Sequence, residues 1–172
     1  LGAVLQNYEY VTTESGSINK WGITNSSAAI YYYDALNKSF NSFRGQIEGV
    51  SDTKGMHIYF QNNSILTNLK IDNPLIKQGV SSGYDYINND VFMSFHQGNK
   101  SFTISYNENK QNFISFYDYI PSIYMSKGNN FITTSPNISQ IWKHYEGEYN
   151  TFYGVKYPSY IIFNINPEPN LD

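Results

Sequence analysis

Along this chain, aromatic and β-branched residues alternate with Ser, Thr and Asn in short runs, and clusters of Gly, Asn, Asp and Lys separate one run from the next. A period of two sends successive side chains to opposite faces of a sheet, so the pattern predicts short antiparallel strands joined by tight turns. The clearest pairs are 28–33 with 39–43, 79–85 with 91–96, and 101–106 with 113–116. Further strands are expected at 8–11, 67–71, 130–134, 140–144 and 160–166, and 147–154 reads as a turn into an aromatic strand. The run that opens at Phe113 continues through Tyr117-Asp118-Tyr119-Ile120 and halts at Pro121, which lacks the N–H that a sheet ladder needs. One stretch breaks the period: within 51–61, Met56, Tyr59 and Phe60 share a face at helical spacing behind Ser51 or Asp52 as a cap. That predicts one short helix, with Gly55 opposing it. Trp21, after a Gly/Ser/Asn loop, is expected as a core or inter-strand anchor.

The three clearest pairs share a motif. Tyr33-Asp34 precedes Phe40-Asn41-Ser42-Phe43, Tyr84-Asp85 precedes Phe92-Met93-Ser94-Phe95, and Tyr106-Asn107 precedes Phe113-Ile114-Ser115-Phe116. In each, the Asp or Asn side chain can satisfy the turn backbone while Phe-x-Ser-Phe starts the returning strand, so the motif specifies a hairpin. The first two copies are spaced like propeller blades and the last two like neighbouring hairpins of one sheet. The expected fold class is all-β: antiparallel hairpins in propeller-like or stacked sheets, with one short helix, forming a single β-rich domain over 1–172.

Composition sharpens this picture. Charged residues are 15% of the chain and aromatics 17%, with 17 Tyr and 11 Phe, so solubility rests on uncharged polar groups, above all the 22 Asn. A net charge of -3 gives no field that would recruit nucleic acid, and no apolar run is long enough to insert in a membrane. With no cysteine, disulfides, thiolate metal sites and a Cys nucleophile are excluded. The chain starts at Leu1 without a signal-peptide core, which reads as a piece of a longer protein.

Candidate chemistry changes little. His57, His96 and His144 lack any paired ligand spacing, no phosphate loop or nucleophile elbow is present, and 85–90 is oxygen-rich without the spacing of a calcium loop. The expectation is no catalytic residue, no metal and no cofactor. Asp118, Glu146 and Glu148 are the acids that could serve glycoside hydrolysis; the simpler reading makes Asp118 a hydrogen-bond acceptor and leaves the glutamates solvated. Tyr117, Tyr119, Tyr124, Trp142, Tyr149 and Tyr153 are the candidate interaction residues, because Tyr and Trp give large contacts at small entropy cost.

A series of motifs adds a resemblance. Gly16-Ser17-Ile18-Asn19-Lys20-Trp21, Ile30-Tyr31-Tyr32-Tyr33-Asp34, Ser51-Asp52-Thr53-Lys54-Gly55-Met56, Gly83-Tyr84-Asp85, Phe113-Ile114-Ser115-Phe116-Tyr117-Asp118-Tyr119-Ile120-Pro121 and Tyr149-Asn150-Thr151-Phe152-Tyr153-Gly154 run in order through nearly the whole chain. Together they resemble the muzzle, or nozzle, proteins of crAss-like bacteriophages, also labelled stabilization proteins. The resemblance implies a propeller-containing virion component that closes the end of a short phage tail, helps retain packaged DNA, and contacts other tail subunits, in a homo-oligomeric ring, and tail fibres. It carries over no catalytic motif. The residues alone leave a second reading open, a carbohydrate-binding module of a surface protein, and a third, a glycoside hydrolase acting through Asp118.

Overall fold

The computed structural model describes residues 11–64, 71–136 and 138–162. The alternating runs fold into three antiparallel sheets arranged in chain order. The first joins β1 (Ile23–Asn25), β2 (Ile30–Asp34), β3 (Ser39–Phe43) and β4 (Ile47–Gly49), each paired with the next. The second repeats that meander with β5 (Gln78–Asp85), β6 (Asp90–Gln97), β7 (Phe102–Asn107) and β8 (Asn112–Tyr117). The third has β9 (Ile123–Lys127), β10 (Asn130–Ser135) and β11 (Ile138–Lys143), followed by a hairpin of β12 (Thr151–Phe152) and β13 (Val155–Lys156). The opening strands β1, β5 and β9 are neighbours in space, as the leading strands of propeller blades are, and the sheets do not close a ring within the described residues.

The repeated motif performs its predicted role. Asp34 Oδ1 accepts from the backbone N–H of Leu36 and of Asn37, Asp85 Oδ1 from that of Ile87, and Asn107 Oδ1 from that of Lys110. Each carboxylate or amide thereby replaces partners that the reversing chain would otherwise lack. The turns also place Lys38, Asn89 and Gln111 at positive φ, where Asn is tolerated best.

The stretch expected as one helix divides into α1 (Val50–Thr53) and α2 (His57–Asn63). Gly55 lies between them at φ +73, a left-handed conformation that a continuous helix cannot contain. Its predicted face is correct: Phe60 is fully buried, and Met56 and Tyr59 pack against the core.

That core lies between the first and second sheets. Register puts Tyr31, Tyr33 and Phe40 on the inward face of the first, opposite Val80, Tyr84, Met93 and Phe95 of the second. Tyr33 meets Phe95 edge-on at 4.7 Å, and Phe60 closes the cluster at 5.7 Å from Phe95. Such pairs contribute about 0.5–1.5 kcal/mol each beyond their burial.

Four expectations need correction or fall outside the described residues. Trp21 is not a core anchor: its side chain is 42% exposed, with the Lys20 ammonium 5.4 Å from the ring. The buried residue is Gly22, whose missing Cβ lets the chain lie against Val80, while the Trp21 carbonyl accepts from Ser82 N at 2.8 Å. Residues 160–162 form no strand and are exposed, and the rest of 160–166 lies outside the described residues, as do almost all of the runs at 8–11 and 67–71.

Candidate functional site

The residues that tie the sheets together are mostly polar. Glu108 follows the turn residue Asn107, and its side chain reaches from the second sheet to the first. Oε1 accepts from Ser26 Oγ at 2.7 Å and Tyr31 OH at 2.9 Å, and lies 3.3 Å from the Arg44 guanidinium; Oε2 accepts from Tyr84 OH at 2.8 Å. Burial alone would raise the Glu108 pKa, but the three hydroxyl bonds and Arg44 outweigh it and hold the carboxyl below its ordinary value. Burial, with the same carboxylate adding to it, pushes the Tyr31 and Tyr84 phenols above theirs. At pH 7 the cluster is therefore an anion held by neutral hydroxyls and one cation.

The seam between the second and third sheets has a different chemistry. The second sheet turns Ser81, Gly83, Phe92, Ser94, His96 and Thr103 toward it. Gly83 leaves the space that the Tyr124 ring occupies, and Tyr124 OH shares a 2.6 Å hydrogen bond with Ser94 Oγ. Ser81 Oγ donates to the Pro121 carbonyl at 2.8 Å, which leaves it to accept from His96 Nε2 at 3.0 Å. His96 Nδ1 is buried without a partner, so the ring is held neutral, and burial pulls its pKa down to about 4. On the third-sheet side of the seam, Thr133 Oγ1 bonds His144 Nε2 at 2.8 Å and Tyr153 OH at 2.6 Å, and burial lowers His144 to about 4 as well. Tyr145 OH donates to Asp85, which fastens the third sheet to the second-sheet turn.

The structure distributes the six candidate interaction residues over three places. Trp142, Tyr149 and Tyr153 line a cavity of about 470 Å³ formed by residues 142–153, together with Glu146 and Glu148. Tyr149 is 94% exposed there, whereas Tyr153 is buried and meets Trp142 edge-on at 5.6 Å. Tyr117 and Tyr119 border a groove under residues 157–162, with Tyr119 buried against Phe152 at 4.0 Å. Tyr124 lines a groove of about 350 Å³ along the opening strands, where Trp21, Lys20 and Tyr86 also stand.

The acids are not gathered. Asp118 is exposed beside the groove under 157–162, while Glu146 and Glu148 belong to the other cavity, Glu146 in an ion pair with Lys143 at 2.5 Å. His57 is paired with Asp52 on the surface, and among the described residues no group of three His, Cys, Asp or Glu could hold a metal ion. The residues that sequence reasoning missed are Glu108 and Ser81, while Trp21 was singled out as an anchor and stands in a groove instead. A carboxylate directly after the turn residue Asn107 was the available signal for Glu108; its partners Ser26 and Tyr31, 82 and 77 residues away, left none.

Comparison with known proteins gives a consistent picture. The family model described as Crassvirus muzzle protein matches residues 1–137. A curated relative, the muzzle protein of Bacteroides phage crAss001, is 27% identical over 172 residues, which are 98% of this chain and 12% of the relative.

Proposed function

This chain belongs to the Crassvirus muzzle protein family, a structural component of the phage virion tail, and we propose that it serves there as a rigid wall element that helps close the tail end and retain packaged DNA. It acts by protein–protein assembly, without turnover, in a homo-oligomeric ring that contacts other tail subunits and tail fibres. The observation that carries this reading is the fastening of both inter-sheet seams: Glu108 bridges the first, and Tyr124, Tyr145 and the Ser81–Pro121 bond bridge the second. Such polar bridges resist sliding of one sheet over another, as a plug under load requires. Tyr149, the candidate most turned to solvent, supplies a contact to a neighbouring subunit. Co-expression with the other tail proteins tests this: we expect a stable complex, weakened by Tyr149→Ala, and no release of reducing sugar from host glycans. A protein that captures no tail component and hydrolyses glycan in an Asp118-dependent way contradicts it.

One observation favours a second reading, carbohydrate binding. The cavity at 142–153 combines Trp142 and Tyr149 with the carboxylates of Glu146 and Glu148, a set suited to sugar C–H faces and hydroxyls. A glycan array decides: reproducible binding lost on Trp142→Ala supports the module, and a blank array removes it.

A further inference from the structure

Each opening strand is an edge strand: β1, β5 and β9 pair with one neighbour in their own sheets and leave the other edge free. Those edges converge on the groove that Trp21 and Tyr86 border. Its volume of about 350 Å³ is at the small end of the roughly 300–1,000 Å³ of ligand sites. The hydrogen bonds there decide what it can hold. Ser82 N and Oγ both donate to the Trp21 carbonyl, at 2.8 and 3.2 Å, and Ser126 Oγ donates to the Tyr84 carbonyl. Two of the carbonyls on which an added peptide strand would build are thereby taken. A hydroxyl that donates inward keeps its lone pairs. Ser82 and Ser126 therefore offer acceptors to the groove, and Thr24 and Asn25 add a hydroxyl and an amide.

The aromatic rings are fixed before any ligand arrives. Asp72 accepts from the Lys20 backbone N–H at 2.7 Å and from Asn19 Nδ2 at 3.1 Å, which locks the turn that presents Trp21. Tyr86 rests edge-on against Tyr84 at 4.8 Å. Both rings stay open to solvent, Trp21 42% and Tyr86 47% exposed. The one cation beside them is Lys20, whose ammonium stands 5.4 Å from the Trp21 ring and forms no ion pair among the described residues. Among those residues no carboxylate lines the groove. We propose that it binds a short saccharide with a carboxylated ring, the C–H face of the sugar on Trp21, its hydroxyls on Ser82 and Ser126, and its carboxylate at Lys20. Preorganised rings and hydroxyls lower the ordering cost of such a ligand. Single-stranded nucleic acid could stack on the same rings, but successive phosphates need a track of cations and this groove has one. The site is separate from the cavity at 142–153, where Glu146 and Glu148 would repel a carboxylated sugar.

An array of matched neutral and carboxylated saccharides, probed with the complete polypeptide that carries this segment, tests the assignment. We expect binding to carboxylated members that falls at least about tenfold on Trp21→Ala, the loss typical of an anchoring aromatic. Leu36→Ala, in an exposed turn away from the groove, should leave that binding unchanged. Lys20→Gln should abolish the preference for carboxylated over neutral members while neutral binding persists. Hydroxyl-radical footprinting of the unsubstituted protein gives a second measure if a variant fails to fold: bound saccharide should protect Trp21 and Tyr86. A blank array, binding indifferent to Trp21→Ala, or loss on Trp142→Ala alone overturns the site. Tighter binding of oligothymidylate, or rings at 21 and 86 already protected without ligand, overturns it as well. Absence of the protein from virions would overturn the tail assignment and leave the array result standing.

Discussion

Glu108 is the residue on which the first seam depends most. Its side chain is 10% exposed while its partner Arg44 is 47% exposed, so the two ends of this ion pair are unequal in energy. Replacing Glu108 by Ala leaves the hydroxyls of Ser26, Tyr31 and Tyr84 without their acceptor, a cost of about 2–4 kcal/mol for a desolvated hydrogen-bonded charge. Arg44→Ala removes a solvent-screened partner and costs under about 1 kcal/mol. Urea unfolding should therefore show a large fall in midpoint for the first variant and a small one for the second; equal effects contradict the assignment. His96 and His144 make a separate prediction. Each has a folded pKa near 4 against an ordinary 6.5, so between those values the unfolded chain binds more protons. The stability they contribute is complete above about pH 6.5 and is lost as pH falls toward 4. Thermal midpoints measured from pH 7.5 to 4 should decline across that window, and His96→Gln should flatten the decline; an unchanged slope would show that His96 is not the titrating group.

At the scale of elements, Gly83 decides how closely β9 approaches β5. A Cβ there would overlap the Tyr124 side chain, and overpacking of a formed seam costs about 1–3 kcal/mol. Gly83→Ala should lower the denaturation midpoint, and in a Tyr124→Ala background most of that loss should disappear; additive effects would mean that the two do not meet. The hairpins were legible in the sequence because their determinants are local: Asp34, Asp85 and Asn107 bond backbone within three residues of themselves. The break at Gly55 was legible as an objection, and it prevailed because a positive φ cannot be absorbed within a helix. The pairing of sheets was not legible. Alternation marks two faces of a strand without saying that both will be covered, which is why Tyr119 and Tyr153, read as contact residues, lie buried while Trp21, read as an anchor, stands in a groove. Sequence shows that an aromatic is large and amphipathic, and the neighbouring glycine or serine on another sheet decides where it packs.

For the whole molecule, sheets stacked in chain order with polar side chains bridging each seam describe a rigid wall element. With few charges, abundant Asn and Tyr and no cysteine, its stability comes from packing and hydrogen bonds. The reading that it belongs to the wall of a tail leads to a direct observation. Cryo-electron microscopy of purified virions should resolve, at the distal end of the tail, symmetry-related copies of a three-sheet stack with the Glu108 carboxylate bridging the first two sheets. Virions whose tails contain no density for this fold, with its peptides missing from the same particles, would contradict the account.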